Sequence, residues 1–461
     1  MKNSSEILRE LNSLEEKYDL GKYYIGEVPL WRLVRFKVRI ERLSKETGFT
    51  NKSKITSIRK LEVIKFFFIS FFQLIKQFFF IRKKRKHVFF AFPRLFNIDG
   101  IYIDKFTDPI INLGIKDSNE YIIFQHSLAN KHHQPRFNRQ SLIYSDFIDV
   151  VSVLFGSFFS LLYSFKYRKV LHKFVDDVKK VYPDTALNNR SVAKELAVIK
   201  VYIFCYQKLL NMLSPTNVFI VGREVFKFIS ILKKSQGFKL YEIQHGITQS
   251  NTPMYTGKYL ENYDPDLFLV FGYAWVNLFY GVPVDKIRNI GFAYHNFIRS
   301  KKESLKKVFH YNEVLIISSP SITKEILLFL ESVFNMRVDL SFHLRLHPQE
   351  ALTDDQRHFL LSNNVKILSN EEDAIFCVNR YHNVIGDNSS VLYEALAMGK
   401  KVGKLNFLNM YSRDLVNDIA NGFFIIKDYN DLINMVNELS VQCNNKYYYT
   451  DFNELDFNKI I

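Results

Sequence analysis

Cysteine is nearly absent from the chain. Its three residues, Cys205, Cys377 and Cys443, are far apart, odd in number and without CxxC spacing. That argues against a disulfide framework or a cysteine zinc site and fits a reducing cytosol. Glycine (17 residues) and proline (11) are also few, and neither an internal repeat nor a low-complexity linker is found. Acidic residues run short, at 47 against 63 Lys plus Arg, giving a formal net charge of +16. Such an excess attracts nucleic acid, anionic lipid or phosphorylated substrates. No zinc finger, RNP-like aromatic motif or isolated basic arm is present to use it on nucleic acid, so no nucleic-acid partner is expected. No D-x-D spacing stands out as a metal motif, and no metal site is expected. The N-terminus, MKNSSEILRE, has no apolar core behind its charge and predicts no secretory signal.

What is present is a hydrophobic content of 47% in 461 residues, enough for two α/β domains rather than one core. Residues 1–60 read as polar and helical, with a mixed segment around Trp31 and Arg32. Leu61–Ile81 follows, running at once into RKKRK at 82–86. About 20 apolar residues span a bilayer, but Glu62, Lys65, Lys76 and two glutamines interrupt this stretch. Only Phe66–Phe72 is uninterrupted, so an interfacial helix with a basic anchor is expected in preference to a span. Val150–Phe165 is a second apolar stretch, ending in Lys166, Tyr167, Arg168 and Lys169. For either stretch alone a buried core helix is the competing account.

Beyond these, short apolar runs alternate with longer amphipathic ones, as βαβ units do. Expected strands are His87–Phe92, Tyr121–Gln125, Val218–Val221, Leu240–Gln244 and Leu267–Phe271. A second series follows: Val314–Ser318, Ser341–Leu346, Val365–Leu368, Asn383–Ile385, Lys401–Leu405 and Phe423–Ile426. The predicted organisation is a helical region at 1–86, a first Rossmann-like domain at 87–295 and a second at 296–461, meeting near Gly291–Ser300. Ligands of such sheets sit at the carboxyl ends of the strands.

Three motifs fall there. In YEIQHGI, Glu242 and His245 stand at a strand end, where imidazole or carboxylate can accept a proton from an attacking hydroxyl. A histidine that only satisfies a loop backbone is the alternative. In SFHLRLHP, strand alternation puts His343, Arg345 and His347 on one face, with Pro348 turning the chain. Arg345 and His347 together suit a phosphate; a basic strand edge is the alternative. In NVIGDNSSVLYEALAMGK, an apolar strand ends at Asp387 and a helix begins. Ser389 and Ser390 thus lie at a helix N-terminus, where free N–H groups and the dipole favour a phosphate. Glu394, a turn further on, suits a ribose diol. An N-cap serine alone is the blander account.

This combination resembles bacterial sialyltransferases and polysialyltransferases, and also capsule Kdo transferases and CDP-glycerol glycerophosphotransferases. The likeness covers roughly residues 215–405, with a weak DGxYxDKxTDP segment at Asp99–Pro109. It implies a GT-B fold of two Rossmann-like domains facing a central cleft, with a helical N-terminal extension. By resemblance, His347 acts on the nucleotide phosphate, and Ser389 with Ser390 holds it. The acidic base usual in sialyltransferases is replaced here by Glu242 and His245, which leaves the base open and suits the glycerophosphotransferases too.

The expected activity is metal-independent transfer of a nucleotide-activated sugar, with no cofactor beyond that donor. The best match is a CMP-linked nonulosonate such as sialic acid or Kdo, passed to a glycan or lipid-linked glycan of capsule or lipopolysaccharide. CDP-glycerol and UDP- or GDP-hexose donors are the alternatives, and a non-catalytic nucleotide- or glycan-binding assembly protein is the rival from another class. The two basic-flanked apolar stretches predict a cytoplasmic protein held peripherally on the inner face of an anionic inner membrane.

Overall fold

A computed structural model describes residues 4–47, 60–81, 83–128, 131–248, 257–276, 281–300, 310–319, 322–336, 339–347, 350–370, 373–387, 389–406, 419–438 and 447–461. Two all-parallel sheets organise it. The first runs, in spatial order, Ile287–Asn289, Leu267–Val270, Lys239–Ile243, Asn217–Ile220, His87–Ala91, Tyr121–Gln125 and Leu142–Tyr144. The second runs Lys366–Leu368, Ser341–Arg345, His310–Ile317, Tyr381–Gly386, Lys401–Leu405 and Phe423–Ile426. Numbered along the chain within each sheet, both begin 3-2-1-4-5-6, the doubly wound Rossmann order. The expected α/β architecture of two Rossmann-like domains is therefore what the chain adopts.

The strand sequences explain why. HVFFA and YIIFQ are buried at every position, as strands covered on both faces must be. On one face Val88, Phe90, Ile122, Phe124, Val218 and Ile220 pack under the N-terminal helices Ser4–Lys17 and Leu30–Thr47 and the helices Arg168–Val181 and Asn189–Leu213. On the other, Phe89, Ala91, Ile123, Phe219 and Tyr241 share a core with Tyr393 and Leu392 of the second domain. The third core, around Val314, Ile316 and Leu330, belongs to the second domain alone.

Two three-residue strands, Leu142–Tyr144 and Ile287–Asn289, were not among the expected ones. The first is an edge, and the helix Lys60–Ile75 closes it. Gln73 accepts from the Tyr144 N–H (2.9 Å) and donates to the Leu142 carbonyl (3.2 Å), while the Ser70 hydroxyl donates to the Tyr144 carbonyl. Polar residues that break up the apolar run thus satisfy an otherwise open sheet edge, and Lys76–Ile81 completes the segment as a π-helical turn. Arg82 of the basic run lies outside the described residues, as do Cys443, Pro348 and Asn388 of the motifs.

Residues 447–461, which the sequence division gives to the second domain, pack on the first sheet. The Thr450 N–H donates to the Phe271 carbonyl (2.8 Å) and that of Asn453 to Ile290 (3.0 Å). Phe457 is fully buried within 6.0 Å of the Phe219 ring. Gly272 is extended, and any Cβ there would overlap the Tyr448 carbonyl. Gly272→Ala should therefore push this segment off the sheet and cost about 1–3 kcal/mol. Urea unfolding checks this, and an unchanged midpoint would mean the segment contributes little.

Candidate functional site

The site lies where the carboxyl ends of the two sheets meet. In the second sheet the order reverses between His310–Ile317 and Tyr381–Gly386, the crevice in which doubly wound folds bind ligands. Loops carrying His347, Asp387 and Ser389 open there. His347 follows the strand Ser341–Arg345, and Glu350 fixes its loop. The Glu350 carboxylate accepts from the His347 N–H (3.0 Å) and from the hydroxyls of Ser318 (2.7 Å) and Thr323 (2.6 Å). Burial, and then the charge of Arg94, hold the His347 imidazole below its ordinary pKa, against the pull of Glu350.

Arg345 is buried at the strand end and donates to the Ser369 carbonyl (3.2 Å). His343 takes no part in the cleft: it pairs with Tyr381 and Glu313 across the sheet. The expected single basic face of three residues therefore reduces to Arg345 and His347. Asp387 is buried at the end of Tyr381–Gly386. Ser389 is the N-cap of the helix Ser390–Ala397, its hydroxyl oxygen accepting from the Val391 N–H (3.3 Å). That is the blander role weighed for it, and it leaves the hydroxyl proton available to an anion. Ser390 opens the helix, half-buried.

Glu394 does not face an open ribose site. It is buried, and its Oε1 accepts from Lys105 Nζ of the first domain (2.9 Å). Burial raises its pKa against the opposing Lys105 charge. Lys105 lies in the Asp99–Pro109 segment, caged by the rings of Phe96 (5.1 Å), Phe106 (5.7 Å), Phe292 (5.8 Å) and Tyr294 (5.7 Å). Asp104 holds that segment to the neighbouring strand end, accepting from the Phe92 N–H (2.9 Å) and the Thr107 hydroxyl (2.6 Å). Tyr294 donates to Asp373 (3.1 Å), a second polar tie across the cleft.

Arg94, beside them, was missed from the sequence. It follows the first strand, exposes its side chain, and lies in the electrostatic range of Arg345, Asp373 and Glu394. Its one close partner among the described residues is the Phe96 ring, at 5.3 Å. A short loop of FPRLFN gives no periodic signal that would single this arginine out.

The two candidate bases occupy different environments. Glu242, at 1% exposure, accepts from the Arg223 N–H (3.0 Å). Burial pushes its carboxyl up to about 7, against Arg223 and helped by Asp264 and Glu224. The charges continue outward: Arg223 pairs with Asp264 (2.8 Å), which pairs with Arg32 (2.8 Å) of the N-terminal helix. His245 keeps part of its surface accessible, among the rings of Phe92 (5.4 Å) and Phe106 (6.4 Å). Burial in that enclosure lowers its imidazole to about 4. The chain does hold one D-x-D spacing, Asp264 and Asp266, but both are taken: Asp264 by Arg32 and Arg223, Asp266 by Lys233 (2.8 Å). Among the described residues no three His, Cys, Asp or Glu side chains converge as a metal site would require.

A pair of facing Rossmann-like domains with a cationic crevice defines the class of site. No protein-family model and no curated protein matches the sequence. Among solved structures, UDP-GlcNAc 2-epimerase from Methanocaldococcus jannaschii is similar with a TM-score of 0.47 and 12% identity, over 82% of this chain and 98% of that one. The wall teichoic acid polymerase TagF is similar at 0.44 and 12%, over 86% and 95%. The calicheamicin glycosyltransferase CalG4 is similar at 0.37 and 11%, over 74% and 85%.

Two expectations follow. Lys105→Met should strand a buried carboxylate and destabilise the protein by about 3–5 kcal/mol, and adding Glu394→Gln should recover much of the loss; denaturant titration of both variants measures this. Glu242 carries a raised pKa, so the folded state binds more protons than the unfolded one between pH 4.5 and about 7, and its contribution to stability is lost as pH rises through that window. Glu242→Gln should therefore gain on the wild type by about 3 kcal/mol between pH 5 and 8. A difference independent of pH would show that Glu242 is not held protonated.

Proposed function

We propose that the chain is a glycosyltransferase that moves a nucleotide-activated sugar to a glycan hydroxyl without a metal ion. The observation that carries this is Arg94 of the first domain lying within electrostatic range of Arg345 and His347 of the second. Ser389 caps the helix that starts at Ser390, and His245 stands at a strand end of the first domain. Cations and free helix amides suit a departing phosphate. A neutral imidazole suits an incoming hydroxyl.

In this reading the acceptor oxygen attacks the anomeric carbon as its bond to the donor phosphate breaks. The proton of the hydroxyl passes to His245, whose lowered pKa keeps it unprotonated at neutral pH. The negative charge that develops on the phosphate falls on Arg94, Arg345 and His347, and on the hydroxyl and amides at Ser389 and Ser390. Glu242, pinned beneath Arg223, orients the loop rather than touching the acceptor. Asp387 and Glu394 border the nucleotide, and Glu394 meets a ribose only if it shares or releases Lys105.

The donor is proposed to be CMP-linked, as a nonulosonate such as sialic acid or Kdo, and the acceptor a surface glycan precursor. One observation favours a second reading. The accessible residue at the strand end is His245 and not the acidic Glu242, which suits transfer of glycerol phosphate from CDP-glycerol. Both readings require a cytidine nucleotide.

Thermal shift with CMP, CDP, UDP and GDP tests this, because a ligand bound only by the native state raises apparent stability. The cytidine nucleotides should give the largest rise. Arg94→Ala and His347→Ala should each cut turnover by about 100-fold or more, at about 2.7–4 kcal/mol per lost donor, with stability unchanged. Ser389→Ala with Ser390→Ala should weaken nucleotide affinity by about 1–3 kcal/mol while the amides remain. Normal turnover in folded His347→Ala would sink the mechanism.

A further inference from the structure

We infer that the outward faces of the helices Lys60–Ile75 and Asp146–Lys166 together form a seat for an anionic lipid bilayer. The second helix is built inside out. Its buried positions include Ser152, Gly156 and Ser160, while Leu154, Phe158, Leu161 and Phe165 are 58% or more exposed. Soluble amphipathic helices do the reverse. The small side chains let the neighbouring helix Asn189–Leu213 come close, since a Cβ on Gly156 would lie 2.7 Å from Val198 Cα. Small residues against protein and large apolar ones outward is the pattern of helices solvated by lipid.

The first helix extends the same surface. The Phe67 and Phe71 rings pack at a tilt against Phe147 at the root of the second helix (5.2 and 5.1 Å). Leu61, Phe68 and Phe72 point outward. Of its polar residues, Ser70 and Gln73 face the sheet edge and not this surface, while Lys65 is exposed. Soluble monomers seldom expose contiguous apolar patches of more than a few hundred Å².

Charge selects the occupant. No acidic residue occurs at 63–98 or at 150–175. Asp146 and Asp149, at the start of the second helix, are paired inward with His132 (2.7 Å) and His126 (2.9 Å). Exposed lysines border the apolar face instead: Lys65, then Lys83, Lys84 and Lys86 after the first helix, and Lys166 and Lys169 at the end of the second. Apart from the half-buried Glu62 at the start of the first helix, the apolar face is rimmed by cations, and this complements an anionic leaflet.

The test floats the full-length protein with phosphatidylglycerol–phosphatidylcholine vesicles and with phosphatidylcholine alone. Wild type should float with the anionic vesicles, less with the neutral ones, and less again at high salt. Phe158→Glu with Phe165→Glu should lower the partition coefficient on the order of tenfold or more, with thermal stability and nucleotide binding unchanged, so the result is independent of the transfer reaction. Lys166→Glu with Lys169→Glu should have a similar effect on anionic vesicles only, and it carries the test if the first variant is less stable. Three results would overturn the seat: wild type remaining in solution with both vesicle types, variants that float as well as wild type, or a dimer that the Phe158→Glu and Phe165→Glu changes dissociate, which would put a second copy on the face.

Discussion

Lys105 reaches across from the first domain into a cage of four rings and gives its charge to Glu394 of the second. Desolvating two charges makes such a pair worth little in net stability, but losing either member is expensive. Its use is registry. It fixes which carboxyl strand ends oppose one another, and so sets Arg94 beside Arg345 and His347. Asp104 and Phe106, which hold the loop, and Phe292 and Tyr294, which line the cage, depend on the same contact. A nucleotide that competed for Glu394 would trade one buried partner for another.

A second line of charge runs behind the first domain. Arg32 to Asp264, Asp264 to Arg223 and Arg223 to Glu242 connect the N-terminal helix to the strand end that presents His245. Arg35 adds Glu224 to the same buried group (2.9 Å). Residues 4–47 are thus part of the scaffold under the cleft. Burial, and then the charge of Arg32, takes the Arg35 guanidinium down to about 10.

Tyr121–Gln125, Lys401–Leu405 and Phe423–Ile426 have the expected bounds; the first and last were legible because they are short, nearly continuous apolar runs. Leu142–Tyr144 and Ile287–Asn289 were not, because three residues at a sheet edge carry no period. His347, Asp387 and Ser389 were legible as strand-end positions. Arg94 and Lys105 were not: the partner of Lys105 lies 289 positions away, and no local pattern encodes a contact at that distance. Glu394 was noticed, but its tie to Lys105 was not, for the same reason. The Ser152, Gly156 and Ser160 stripe stands openly in the sequence, yet hydropathy alone assigns the larger residues to the core.

The path of residues 447–461 bears on how the protein is made. The strands of the first sheet are complete by Asn289, yet the cover over Gly272 and the filler beside Phe219 come from Tyr448 and Phe457. A ribosome releases the first domain with that flank bare and must finish the whole second domain before it can be covered. Until then the aromatic surface around Phe219 lacks the ring of Phe457, and the second domain is in effect an insertion between two parts of the first. Truncation upstream of Tyr448 would leave that flank of the first sheet uncovered.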